Sequence, residues 1–236
     1  MTASAPDPHL HPSQLVFLHG AGLGPWVWES TRALLPYPSV ALEVPSDRPD
    51  MDPQRAAAAL LADPSFPERG PVVLVLHSLA GVLESALATS LGERLVHVVH
   101  VATVVPAPGK SFAATRGFAA NLILRVLFRT HPEGLRPSPA MIQRELAADL
   151  DASSCATLVE RFRPQQGGLF LEPVSARQTK VDSSYIVCGR DRSVAPALQR
   201  RIAARRGSRI EVLETGHLPM LAQPTLLAGV LSRIVG

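Results

Sequence analysis

Short apolar runs punctuate the chain, and most are apolar at every position rather than at alternate ones. Residues 15–18, 40–44, 71–76, 95–101, 184–188 and 209–213 have this character. Without alternation, such a run reads as a strand buried on both faces, which belongs to a parallel sheet covered by helices. Between the runs, apolar residues recur every three to four positions. That spacing predicts helices over residues 26–35, 53–62, 78–90, 195–206 and 225–235. Strand–helix alternation of this kind builds right-handed crossovers and an open, doubly wound, mostly parallel sheet. The expected architecture is a single α/β domain spanning residues 1–236, with no internal repeat.

Residues 106–173 break the rhythm. They hold no clear strand pattern and are rich in helical spacing. Phe118, Leu122 and Val126 make an apolar stripe at a spacing of four, with a polar stripe of Asn121, Arg125 and Arg129 beside it. Further helices are predicted over residues 139–150 and 153–162. An insertion between two strands of an open α/β sheet lies naturally over the carboxyl ends of the strands, where such sheets bind ligands. The expectation is therefore a helical lid, with a plain layer of surface helices as the simpler alternative.

Composition narrows the class. A length of 236 residues, 46% hydrophobic and 18% charged, suits one globular domain with a substantial core. The net charge is only +3, and no basic run is interleaved with aromatics, so no nucleic-acid partner is expected. Arg200, Arg201, Arg205, Arg206 and Arg209 read as the solvated face and end of one helix. The best candidate for a membrane span, residues 118–128, is interrupted by Asn121 and Arg125. Residues 1–14 have no cationic stretch followed by an apolar one. The expectation is a cytoplasmic protein that acts on a small molecule and has no membrane partner; the oligomeric state cannot be read. Cys155 and Cys188 form neither a metal spacing nor a disulfide framework, and Cys188 reads as a core residue. No metal or organic cofactor is expected.

Four stretches carry candidate chemistry. In Val72–Gly81 an apolar strand runs into Ser78, and a helical pattern starts at once. A serine on so sharp a turn holds its hydroxyl up at the sheet edge, with the next N–H close to a developing oxyanion. A helix-capping serine is the plainer alternative. Leu76 and Ala80 stand where the elbow pattern wants the smallest residues. In Leu15–Gly24 a strand ends in His19-Gly20, and a glycine-spaced loop follows that can turn backbone N–H groups toward a ligand. Asp191 and His217 each lie just past the end of a predicted strand, where active-site groups collect in this architecture. Taken alone, each could be an ordinary loop residue. Together, Ser78, Asp191 and His217 follow the chain order of the α/β-hydrolase triad. His77 reads as structural. His97 and His100 read as packing residues without partner acids. Trp26 and Trp28 read as core, and Lys180 and Asp182 as solvated turn residues.

These stretches resemble the plant-type methylesterase and hydroxynitrile lyase group of α/β-hydrolases and its bacterial relatives. The likeness runs from Leu15 onward. It rests on Val16-Phe17-Leu18-His19-Gly20-Ala21 with Trp26 and Trp28, on His77-Ser78-Leu79, on Gly168-Leu169-Phe170-Leu171-Glu172, on Ser184–Asp191 and on Gly216–Leu221. It implies an α/β-hydrolase fold, with Ser78, Asp191 and His217 as the triad. It also implies the backbone N–H groups of Ala21 and Leu79 as the oxyanion hole. The expected activity is hydrolysis of a small ester through an acyl-enzyme, and the mostly apolar helical insertion points to a hydrophobic ester. Lyases of one type in the group carry threonine after the first-strand histidine and lysine after the catalytic histidine. Here those places hold Gly20 and Leu218, which favours an esterase over a cofactor-free lyase or a silent binding relative.

Overall fold

In the computed structural model, described over residues 14–176 and 181–236, six strands form one sheet. They are β1 (Gln14–Leu18), β2 (Ser39–Leu42), β3 (Val72–His77), β4 (Leu95–Val101), β5 (Ser183–Cys188) and β6 (Arg209–Leu213). Each lies within one or two residues of an apolar run. All neighbours pair in parallel, in the order β2-β1-β3-β4-β5-β6. The chain steps outward from β1 to β2, then returns across β1 to lay down β3 and continues the other way. That reversal sets the carboxyl ends of β1 and β3 side by side, where an open α/β sheet leaves a crevice. The readings made for residues 1–13 and for Lys180 fall outside the described residues.

Alternation along each strand builds two cores. Leu15, Phe17, Val73, Val75 and Val99 point to one face, and Val16, Leu18, Leu74, Leu76 and Val98 to the other. The helices are α1 (Glu29–Ala33), α2 (Pro53–Leu61), α3 (Glu84–Leu91), α4 (Phe112–Thr115), α5 (Phe118–Thr130), α6 (Pro139–Glu145), α7 (Ala152–Arg161), α8 (Gly168–Leu171), α9 (Pro196–Arg206), α10 (Pro219–Ala222) and α11 (Pro224–Val235). Val27 and Trp28, just before α1, cover the first face together with Leu227, Val230 and Leu231 of α11. Ala56 and Leu60 of α2, Leu87 of α3 and Ile202 of α9 cover the second. Every residue of β3 is buried. Each large apolar side chain there contributes about 1.5–3 kcal/mol, so the strand that leads into Ser78 is among the firmest parts of the molecule.

Helices α4 to α8 all lie between β4 and β5. Local capping starts three of them: Ser111, Ser138 and Asp151 accept from Ala114, Met141 and Ser154 N–H at 3.1, 3.3 and 2.9 Å. Ile142 and Leu158 anchor α6 and α7 in the first core. Helix α5 is different. None of its residues is buried, and the stripe of Phe118, Leu122 and Val126 faces outward, with Phe118 85% exposed. Its half-buried side is Ala120, Asn121, Leu124 and Phe128, whose ring meets Phe170 of α8.

One expectation is corrected beneath the sheet. His100 does have a partner acid: its Nε2 lies 2.9 Å from Oε2 of Glu84, sixteen residues earlier in the chain. Arg206 closes on the other Glu84 oxygen, so it is not part of a solvated arginine face. Burial pushes the Glu84 carboxyl up, but His100 and Arg206 outweigh burial and hold it below the ordinary value of 4.5. The Glu84 charge therefore stabilises the fold above the ordinary carboxylate range, and this contribution fades as the pH falls through the lowered folded-state pKa. Glu84→Gln strands Arg206 against a neutral partner and is expected to cost about 3 kcal/mol. Urea unfolding of both proteins at pH 7 and pH 4 checks this: the gap should be wide at pH 7 and narrower at pH 4.

Candidate active site

Strand β3 ends at His77 in extended backbone, and the chain then bends at Ser78, whose φ is +52°. A positive φ on a non-glycine residue is strained by about 1–3 kcal/mol. The surroundings hold it there. The Ser78 carbonyl accepts from Val104 N–H at 3.0 Å, and the Thr103 hydroxyl donates to the Leu76 carbonyl at 2.6 Å. The chain then winds tightly as a 3-10 helix from Ser78 to Leu83 before α3 begins. Leu76 finds full burial in the second core with Leu79 and Leu83. The close approach falls instead on Gly81, where a Cβ would strike Thr103 and the Val104 carbonyl. A leucine two residues before Ser78 is thus compatible with the bend, because the contact that demands a glycine is three residues after it.

The loops after β3, β5 and β6 bring Ser78, Asp191 and His217 together. Ser78 Oγ lies 3.0 Å from His217 Nε2, and His217 Nδ1 lies 2.7 Å from Asp191 Oδ2. All three are buried, with Ser78 still 8% exposed. Asp191 is fully engaged: Oδ1 accepts the N–H groups of Ser193 and Val194 at 2.8 and 2.9 Å, and Oδ2 also accepts from Gln199 Nε2 at 2.9 Å. Since this carboxylate accepts only, the proton on His217 sits at Nδ1, and Nε2 is left to accept from the Ser78 hydroxyl.

His77 supports the same constellation from inside the core. Its Nε2–H donates to the His217 carbonyl at 2.9 Å, and its ring packs 4.7 Å from the His217 ring. Burial drives the His77 pKa well below the usual imidazole range, and the neighbouring His217 adds to this, so His77 is a neutral scaffold. Cys188 ends β5 close by, but burial pushes its thiol up to about 12, and it stays an inert core residue.

The glycine turn after β1 faces Ser78 from the other side. A Cβ on Gly20 would stand 2.8 Å from Ser78 Cβ, so the backbone that leads into Ala21 runs directly against the serine. Leu79 lies in the first turn of the 3-10 helix, where N–H groups have no partner within the helix. Ala21 follows Gly20 and Leu79 follows Ser78, so the two residues expected to supply oxyanion donors are each next in the chain to a residue of this close approach. Several supporting residues were not singled out from the sequence. Gln199 lies on α9, is wholly buried, and ties Asp191 to Cys188 N–H. Asp149, between α6 and α7, accepts from the N–H of Gly216, next to His217. Only a buried polar residue within an apolar helix pattern could have flagged Gln199, and nothing local marks Asp149.

The topology and the meeting of these loops at one sheet edge are those of the α/β hydrolases, and the sequence profile of the alpha/beta hydrolase family matches residues 15–230. The chain belongs to that family. No curated protein sequence matches it. Among solved structures it is similar to an extracellular alpha/beta-hydrolase from a Paenibacillus species, described as homologous in structure and function to tobacco salicylic acid binding protein 2. That match has a TM-score of 0.84 at 13% identity, covering 95% of this chain and 99% of that one. It is also similar to polyneuridine aldehyde esterase (TM-score 0.73, 17% identity, 95% and 100% covered). A methylesterase from Arabidopsis matches with a TM-score of 0.69 at 21% identity, with 94% and 98% covered. The α/β-hydrolase family and fold that the resemblance implies are borne out. Among the described residues no helix is long and apolar enough to cross a membrane.

Proposed function

We propose that this protein is a serine hydrolase that cleaves a small, hydrophobic ester through an acyl-enzyme. The observation that carries this is the unbroken relay from Ser78 Oγ through His217 to Asp191, at 3.0 and 2.7 Å. In this reading His217 takes the Ser78 proton as the hydroxyl attacks the ester carbonyl. Asp191 holds the imidazole in the required tautomer and stabilises the imidazolium. The N–H groups of Ala21 and Leu79 meet the oxyanion, each contributing about 2.7–4 kcal/mol of transition-state stabilisation. His217 returns the proton to the departing alcohol, and water then repeats the attack on the acyl-enzyme. Neighbours named as an esterase and a methylesterase are in keeping with ester chemistry. In this reading the helical segment 106–173 serves as the lid, with the stripe of Phe118, Leu122 and Val126 on its outer side.

The same triad can serve a cyanohydrin lyase, and two features argue for the ester. A lyase must stabilise departing cyanide, which a cation beside the catalytic histidine does. Leu218 occupies that place and is wholly buried in the first core. A hydroxyl-bearing side chain at Gly20 would collide with Ser78 and His77. The protein is therefore expected to hydrolyse short aryl esters but to release no cyanide from mandelonitrile above background at acidic pH. Cyanide release that disappears in Ser78→Ala would replace the esterase reading with the lyase one.

A further inference from the structure

The turn that presents Ala21 is held almost entirely from outside itself. The Gly20 carbonyl accepts from Leu23 N–H at 3.4 Å, and Gly22 has a φ of +74°, which makes a turn that needs glycine at its third position. His19 Nδ1 lies 2.8 Å from the Gly20 carbonyl. The Gly20 carbonyl and the Ala21 N–H belong to one planar peptide, so fixing the oxygen also aims the N–H the opposite way. The other contacts come from the end of the helical segment, just after α7. Arg163 donates its backbone N–H to the Gly22 carbonyl at 2.9 Å and its guanidinium to the Leu23 carbonyl at 3.0 Å. The preceding Phe162 ring fills the space beside Gly22 that a Cβ would need.

The guanidinium reaches further. It pairs with Glu43, just past β2, and lies 3.6 Å from Asp47. Glu43 Oε1 in turn lies 2.9 Å from His19 Nε2, which the Val44 N–H also meets at 2.9 Å. Both contacts fall on Nε2 of the ring whose Nδ1 faces the Gly20 carbonyl, and either one pins that ring. A single side chain therefore bridges the turn, the loop after β2 and the stem of the segment 106–173.

We propose that Arg163 is a positioning residue for the oxyanion-binding turn, acting on Ala21 N–H through the Leu23 carbonyl and through Glu43 and His19. This rests on the ester-hydrolase reading above. It makes the stem of the lid a fixed part of the site. The Arg163 guanidinium makes its hydrogen bonds away from Ser78, tying the Leu23 carbonyl to the acid that contacts His19. A turn released by even about 1 Å would misplace the donor at the transition state and leave ground-state binding intact.

The test compares Arg163→Met, which keeps the aliphatic stem, with Arg163→Lys. On an aryl ester Arg163→Met should lower kcat by about 10- to 100-fold with KM nearly unchanged. Inhibition by an aryl trifluoromethyl ketone, whose adduct places an oxyanion in the hole, should weaken by the same factor. Arg163→Lys, which restores a cation beside Glu43, should recover part of both losses. Tm should stay within a few degrees of the parent in both variants. Unchanged kcat and ketone affinity in Arg163→Met would overturn the proposal. So would a loss of kcat that follows a collapse in Tm in both variants, since that is a purely structural role. If the parent protein itself is not labelled at Ser78 by a fluorophosphonate, the ester reading fails and this inference with it. Normal labelling of the parent beside an unaffected Arg163→Met overturns the inference alone.

Discussion

Replacement of Ser78 by alanine is expected to lower kcat for an aryl ester by about a million-fold, to the level left by the oxyanion donors and binding alone. The fold should survive it. Ser78 sits at a φ of +52°, and alanine is no worse than serine in that conformation. The bend is held by contacts the hydroxyl does not make: Val104 N–H on the Ser78 carbonyl and Thr103 on the Leu76 carbonyl. Steady-state kinetics and a thermal melt on the same preparation separate the two quantities. Activity within tenfold of the parent, with Tm preserved, would remove Ser78 from the mechanism.

Asp191→Asn should cost about ten-thousand-fold in kcat, and the hydrogen bonds show why. Oδ1 of Asp191 accepts two backbone N–H groups, from Ser193 and Val194, so the oxygen of an asparagine must occupy that position. Its NH₂ group is then forced into the Oδ2 position, where it faces His217 Nδ1 and the amide nitrogen of Gln199. A donor there obliges His217 to accept at Nδ1 and carry its proton on Nε2. In that tautomer the imidazole cannot take the Ser78 proton. Fluorophosphonate labelling should slow by a comparable factor while the KM for the ester changes little. Labelling at the parental rate would show that Asp191 does not set the tautomer.

The parts of the fold legible in the sequence were those set by local burial. A central parallel strand is covered on both faces, so β3 reads as an uninterrupted apolar run, and β1, β4 and β5 are nearly as plain. That Ser78, Asp191 and His217 meet was legible for a related reason: each falls at the end of such a run, and their order along the chain carries the topology with it. What stayed hidden depends on which elements meet. Glu84 and His100 lie on different elements and find each other only once α3 packs under the sheet, so His100 read as a lone core histidine. Asp149, Gln199 and Arg163 act on backbone and side chains 67, 8 and 140 residues away along the chain, and no spacing rule reaches them. The periodicity of α5 named its apolar stripe correctly. Periodicity does not say which side meets the protein, and here the stripe of Phe118, Leu122 and Val126 is the outer side. The doubt raised by Leu76 came from reading the elbow pattern as a requirement on fixed positions. The physical requirement is one close approach between helix and neighbouring strand, and Gly81 meets it.

The central claim is that Ser78 is a nucleophile activated by His217. Reaction of the purified protein with a fluorophosphonate, followed by intact mass and peptide mapping, tests it most directly. The account predicts one adduct per chain, on Ser78, absent from Ser78→Ala and strongly slowed in His217→Gln. An unmodified parent protein, or an adduct on any other residue that persists in Ser78→Ala, would contradict it.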